Sequence, residues 1–167
     1  MIKNLLCLMA LTFSNLIWAQ TEAVHNIPEF TFESGKKLKD MKVGYVTHGT
    51  LNANKSNAIL VTHGTSGNRL GYNIYIGPNK AFDTNKYFVI AVDAIGGGNS
   101  SSPLSTGLGI DFPRYTIRDM VKAQHDLVTK GLGIKKLVAV GGPSMGDRKS
   151  TRLNSSHVAL SRMPSSA

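Results

Sequence analysis

Cysteine is almost missing from this chain: the single one, Cys7, sits in an apolar N-terminal stretch. Beyond residue 19 there is no thiol for a disulfide, a thiolate metal site or a cysteine nucleophile, and Cys7 comes too early to be a lipoprotein cysteine. His, Asp and Glu spacings that suggest a metal centre are missing as well. Long hydrophobic runs are scarce, and the one near the N-terminus is too short and too interrupted for a stable membrane span. Acidic residues are few, 10 against 19 Lys and Arg, for a formal charge of +9. That excess invites a nucleic-acid reading, but the charges are scattered, and Arg148, Lys149, Arg152 and Arg162 fall in the C-terminal tail. Residues 20–146 hold 14 basic against 9 acidic side chains. The cluster Lys36, Lys37, Lys39 and Lys42 reads as a solvated hairpin edge rather than a phosphate-binding stripe, so no nucleic-acid partner is expected.

Residues 1–19 have the layout of a secretory signal. Lys3 supplies a short positive region, Leu5 to Trp18 an apolar stretch broken by Ser14 and Asn15, and Ala19 before Gln20 a cleavage site, with Ala23 as a second candidate. A buried N-terminal helix is the competing reading, though neither a cap nor an amphipathic period supports it. The expected location is periplasmic or secreted. The full 167 residues allow one domain.

Two β-like stretches, Phe30 to Phe32 and Met41 to Val46, flank the turn-like Ser34-Gly35-Lys36-Lys37 and predict an antiparallel hairpin. Asn52 to Asn57 is a loop. Ala58 to Thr62 is a continuous apolar run that ends at His63-Gly64-Thr65-Ser66-Gly67, as a buried parallel strand delivers a functional loop at its C-terminal end. Tyr87 to Val92 repeats the pattern, followed by Gly96-Gly97-Gly98 and a serine-rich stretch. Thr116 to Lys130 reads as an amphipathic helix, with Thr116 as N-cap, Asp119 three residues on, and Ile117, Met120, Val121, Gln124, Leu127 and Val128 on one face. Gly131 and Gly133 end it. Strand, helix and strand in this order predict an α/β fold with a mostly parallel, helix-covered sheet behind an N-terminal antiparallel hairpin.

The apolar run Leu137 to Val140 leads directly into Gly142-Pro143-Ser144-Met145-Gly146. A Gly-x-Ser-x-Gly after a buried strand is the pattern of a nucleophile elbow, a strained strand-to-helix turn that presents a serine hydroxyl at the top of the sheet. Ser144 is the candidate nucleophile. Acyl transfer through serine needs a base for the hydroxyl proton and donors for the oxygen that becomes negative. The backbone N–H groups of Met145 and Thr65 are the candidates for that oxyanion hole. His63, with Gly64, reads as loop-orienting rather than as the base, because the base follows the nucleophile in this architecture. His48 and His125 read as surface or half-buried side chains. Asp93, at a strand end, is placed to order the glycine loop after it. Gly96 to Gly98 is not a phosphate-binding fingerprint, since no helix opens at the required spacing.

The stretches Asn57 to Gly64, Gly77 to Ile90, Phe112 to Gln124 and Gly141 to Gly146 resemble homoserine O-acetyltransferases and their α/β-hydrolase relatives. The resemblance runs from about Phe30 to Gly146. It implies the N-terminal portion of an α/β-hydrolase fold, incomplete here, because a whole hydrolase of this kind needs about 200 to 250 residues. It also implies a ping-pong mechanism in which Ser144 takes an acyl group and passes it to an alcohol or to water. The expected substrate is a small ester or acyl compound. No cofactor is expected, with acetyl-CoA as acyl donor only in a true transferase. A homodimer of the full-length parent stays open. Two positions depart from the transferases: Pro143 in the elbow, and His63-Gly-Thr-Ser-Gly where they usually carry His-Ala-Leu-Thr-Gly. Acyl-CoA donors are cytosolic, so an exported relative is expected to be an esterase-like hydrolase. The alternatives are an inert fragment or a non-catalytic binding module of the same fold.

Residues 147–167 do not read as the helix that should follow the elbow. They carry little apolar period and resemble an in-frame translation of sequencing-library adapter, so a non-native tail is expected there. Asp147 and His157, the only acid and the only histidine after Ser144, stand too close to it to leave room for the strands that carry a triad's acid and base. The catalytic Asp and His are therefore expected to be absent from this chain, which is expected to be inactive by itself.

Overall fold

Alternation of apolar residues decides which faces of the sheet are covered. The computed structural model describes residues 20–149 and the backbone of Ala159–Leu160; the expected signal and His157 lie outside the described residues. Strands β1 (Thr21–Thr31) and β2 (Lys37–His48) form an antiparallel hairpin. Strand β3 (Ala58–Thr62) is buried at every position. A 3-10 turn at Arg69–Tyr72 and the short strands β4 (Ile76–Gly77) and β5 (Phe82–Asp83) precede β6 (Phe88–Val92). Helix α1 (Ile117–Asp126) continues as a π-helical turn over Leu127–Gly131, then come β7 (Lys136–Leu137) and β8 (Ala139–Gly141). A last strand, β9 (Ala159–Leu160), pairs in parallel with β7.

The main sheet runs β1-β2-β6-β3-β8. Strand β2 meets β6 antiparallel, and from there on the pairings, β6 with β3 and β3 with β8, are parallel. One face packs Met41, Val43, Leu60, Ile90 and Val92 against Met120, Val121, Ala123, Leu127 and Val128 of α1 and its π turn. The other face packs Val46, Ile59, Val61, Val89 and Ala91 against Ile76, Tyr72 and Phe82. Burial on both faces explains why β3 is an unbroken apolar run.

Three boundaries differ from the sequence reading. The hairpin reaches back to Thr21, because β1 is a largely exposed edge strand whose pairing is dictated by β2 rather than by its own composition. Pro28, which has no N–H to give, fits there because an edge strand leaves one side unpaired. The predicted helix keeps its start, where the Thr116 and Asp119 side chains cap each other's backbone N–H groups. It changes to a wider π turn after Asp126, with the Leu132 N–H donating to the Leu127 carbonyl. The strand predicted at Leu137 to Val140 divides at Val138, whose N–H donates to the Ala58 carbonyl at 2.8 Å.

Candidate active site

Strand β8 ends at Gly141, and the chain turns through Gly142 and Pro143 to Ser144, where a helical turn over 145–149 begins. Ser144 has φ 55°, a left-handed conformation that costs a serine about 1 to 2 kcal/mol. The turn is held by local bonds: the Gly146 N–H donates to the Pro143 carbonyl at 2.8 Å, and the Asp147 and Arg148 N–H groups donate to the Ser144 carbonyl at 3.1 and 3.3 Å. Among the described residues no hydrogen bond reaches the Ser144 hydroxyl, and the residue is exposed.

The two glycines serve close approach. A Cβ on Gly142 would stand 2.1 Å from the Thr62 carbonyl oxygen, and one on Gly146 would stand 2.3 Å from it. Neither distance leaves room for a side chain, so β3 and the elbow touch backbone to backbone. Thr62 adds a bond of its own, its hydroxyl donating to the Gly146 carbonyl at 3.0 Å.

The loop after β3 arrives beside this turn. A Cβ on Gly64 would lie 3.8 Å from the Ser144 Cβ. Thr65, Ser144 and Met145 line one cleft of about 410 Å³ together with Ile117, Asp147 and Arg148. The structure thus brings the expected nucleophile and both expected oxyanion donors to a single opening.

His63 lies beneath that opening, 5% exposed. Its Nε2 accepts from the Ala94 N–H at 2.9 Å, which leaves the ring proton on Nδ1, 2.6 Å from the Gly64 carbonyl. Both ring nitrogens are engaged in holding the loop. Burial pushes the imidazole pKa down, and the opposing bond to the Gly64 carbonyl does not cancel it, so the neutral ring is favoured. His48 is half-buried with its pKa lowered by burial, and His125 is half-buried on α1. Neither lines the cleft.

Asp93 is 1% exposed, and its carboxylate accepts the Asn99 N–H at 2.8 Å, at the end of the glycine loop. It also accepts both the backbone N–H and the Nη1 of Arg69, each at 2.8 Å. Sequence reasoning missed Arg69. Nothing in Asn68-Arg69-Leu70 signals a buried cation, and its partners are Asp93 and, at 2.6 Å, Glu22. Among the described residues no group of three His, Cys, Asp or Glu side chains is arranged to hold a metal ion, and no helix is long and apolar enough to cross a membrane.

Comparisons with known proteins bear on the fold and the family. A family profile described as alpha/beta hydrolase fold matches residues 57–146. Homoserine O-acetyltransferase from Methanohalobium evestigatum is 47% identical over 142 residues, covering 73% of this chain and 29% of that protein. Homoserine O-succinyltransferase from Magnetococcus marinus is 46% identical over 134 residues, 68% of this chain and 34% of that one. Among solved structures, the acetyl esterase MekB superposes with a TM-score of 0.80 at 37% identity, covering 85% of this chain and 43% of the esterase. The chain therefore spans about a third of the length of these curated relatives.

Proposed function

This chain belongs to the alpha/beta hydrolase fold family, and from that premise we propose that the protein it comes from transfers acyl groups through Ser144. The observation that carries the proposal is the elbow: a serine at φ 55°, exposed in a cleft with Thr65 and Met145, on a turn whose glycines press against Thr62.

The Ser144 Oγ attacks the acyl carbonyl carbon, a C–O bond forms, and the carbonyl electron pair moves onto oxygen. The Met145 and Thr65 N–H groups receive that oxyanion; one such donor is worth about 3 kcal/mol in the transition state. The serine proton passes to a histidine that the parent protein is proposed to supply beyond this chain, and then to the departing alcohol or thiol as the acyl–heteroatom bond breaks. Water or an acceptor alcohol then attacks the acyl-serine by the reverse sequence. None of these steps requires a resident cofactor; acetyl-CoA enters as the acyl donor in the transferase case.

Residues 1–19 are proposed to direct export, which favours water over an acyl acceptor and hence an esterase. The resemblance to an acetyl esterase structure supports that choice. The tail after Gly146 is proposed to be non-native, supported by the burial of Lys149, and the 167-residue chain to be inactive by itself for want of a base. Sequencing the locus without library adapters tests the tail: a genomic frame encoding Arg148 to Ala167 overturns it.

For the activity, the full-length protein is assayed with p-nitrophenyl acetate and, separately, with acetyl-CoA and homoserine. Ester turnover without homoserine-dependent thiol release is expected, and Ser144→Ala is expected to abolish it. Turnover that survives Ser144→Ala overturns the proposal.

A further inference from the structure

We propose that Asp93 is a positioning residue for the oxyanion loop: with Ala94 it grips the segment from His63 to Arg69 at both ends and so fixes the direction of the Thr65 N–H. This rests on the acyl-transfer reading of Ser144.

The grip is visible bond by bond. At the start of the segment, the Ala94 N–H donates to His63 Nε2 at 2.9 Å, and His63 Nδ1 is bonded to the Gly64 carbonyl at 2.6 Å. At its end, Asp93 Oδ1 accepts the Arg69 N–H and Oδ2 accepts Arg69 Nη1, both at 2.8 Å. Two consecutive residues at the end of β6 therefore hold two points six residues apart, and Thr65 lies between them.

Asp93 itself cannot shift. Its N–H donates to the Gly44 carbonyl at 2.8 Å, tying it to β2. A Cβ on Gly44 would stand 2.8 Å from Oδ2, and one on Gly98, where φ is +57°, would stand 2.2 Å from the carboxyl carbon. The carboxylate is thus enclosed by glycine backbone and accepts from the Arg69 guanidinium and from two backbone N–H groups, those of Arg69 and Asn99. It does not line the Ser144 cleft. Its bonds run instead to the two loops that flank it, the use expected of a group that orients a catalytic donor from behind.

The test uses the full-length enzyme with Asp93→Asn, which keeps shape and removes charge. Removing an oxyanion donor costs roughly 100- to 1000-fold in kcat, so a misdirected one is expected to cost about tenfold or more. The KM for a short-chain ester should stay within about twofold. Affinity for an alkylboronic acid, whose tetrahedral serine adduct puts an oxygen in the oxyanion site, should fall in step with kcat. Unchanged kcat overturns the proposal, and so does a fall in kcat with boronate affinity intact. If Asp93→Asn does not fold, Arg69→Lys takes its place, since it keeps the backbone N–H and the charge but loses the planar fork. Lower kcat with weaker boronate binding supports the proposal, and wild-type values overturn it. Ser144→Ala separates the two readings: an active Ser144→Ala enzyme sinks acyl transfer itself, while an inactive one beside a fully active Asp93→Asn enzyme sinks only the positioning role.

Discussion

On the strand side of Ser144, Gly142 and Gly146 lie so close to the Thr62 carbonyl that a methyl group on either has no place. On the helix side, three residues past Gly146, Lys149 carries a long ammonium-bearing side chain to a point with no solvent exposure. It donates to the His63 carbonyl at 2.9 Å and makes no ion pair among the described residues. Burial lowers its pKa from 10.5 to about 8. One segment agrees with the fold at every level, from residue type to backbone contact; the next puts a charge where the fold calls for an apolar side chain. That contrast supports the proposal that the residues after about Gly146 in this chain are non-native.

The contrast can be broken or sharpened by substitution. The largest effect is expected for Gly146→Ala, because the new methyl meets backbone rather than a yielding side chain. A loss of roughly 3 kcal/mol or more is expected, read from urea denaturation or from failure to recover soluble protein. A wild-type midpoint would show that the elbow has slack.

Lys149→Met should act in the opposite direction. With a folded pKa of about 8 against 10.5 unfolded, the charged amine disfavours the fold fully below pH 8, less between 8 and 10.5, and not above. The substitution should add about 3 kcal/mol at pH 7 and remove the rise in stability between pH 8 and 10.5. Equal stability of the two proteins across that range would erase the contrast.

Thr62→Val removes the hydroxyl that donates to the Gly146 carbonyl, with an expected loss of about 1 kcal/mol in the same denaturation experiment. The smallest effect concerns His63. Its pKa is lowered from 6.5, first by burial, so its contribution to stability is complete above pH 6.5 and is lost as the pH falls below that value. A His63→Gln protein should lack this acid limb, and an identical pH profile in both would show that the ring does not titrate with folding.

How legible each part was depends on where its partners lie. The elbow could be read because its constraint is local: glycines two residues either side of a serine, after an apolar strand. Strand β3 was read at both ends, since burial on both faces gives an unbroken apolar run. The start of α1 was equally clear from Thr116 and Asp119. By contrast, Thr21 to Glu29 carry mostly exposed side chains without a clean apolar alternation, and a proline, and become a strand only because β2 lies alongside. Arg69 was invisible for a related reason. Its counter-charges are 24 and 47 residues away, and no local pattern announces a long-range ion pair.

Glu22 gives the position of the proposed cleavage a structural consequence. If residues 1–19 are the export signal proposed above, a cut after Ala19 keeps the whole of β1, including the Glu22 carboxylate on Arg69. A cut after Ala23 would remove that carboxylate together with the pairings of Thr21, Glu22 and Ala23 to Thr47, Val46 and Tyr45. Arg69 would then face Asp93 alone, behind the loop that carries Thr65. The residues that follow the proposed signal are thus joined through a single arginine to the proposed oxyanion loop, and four residues of trimming would separate an intact anchor from a frayed one.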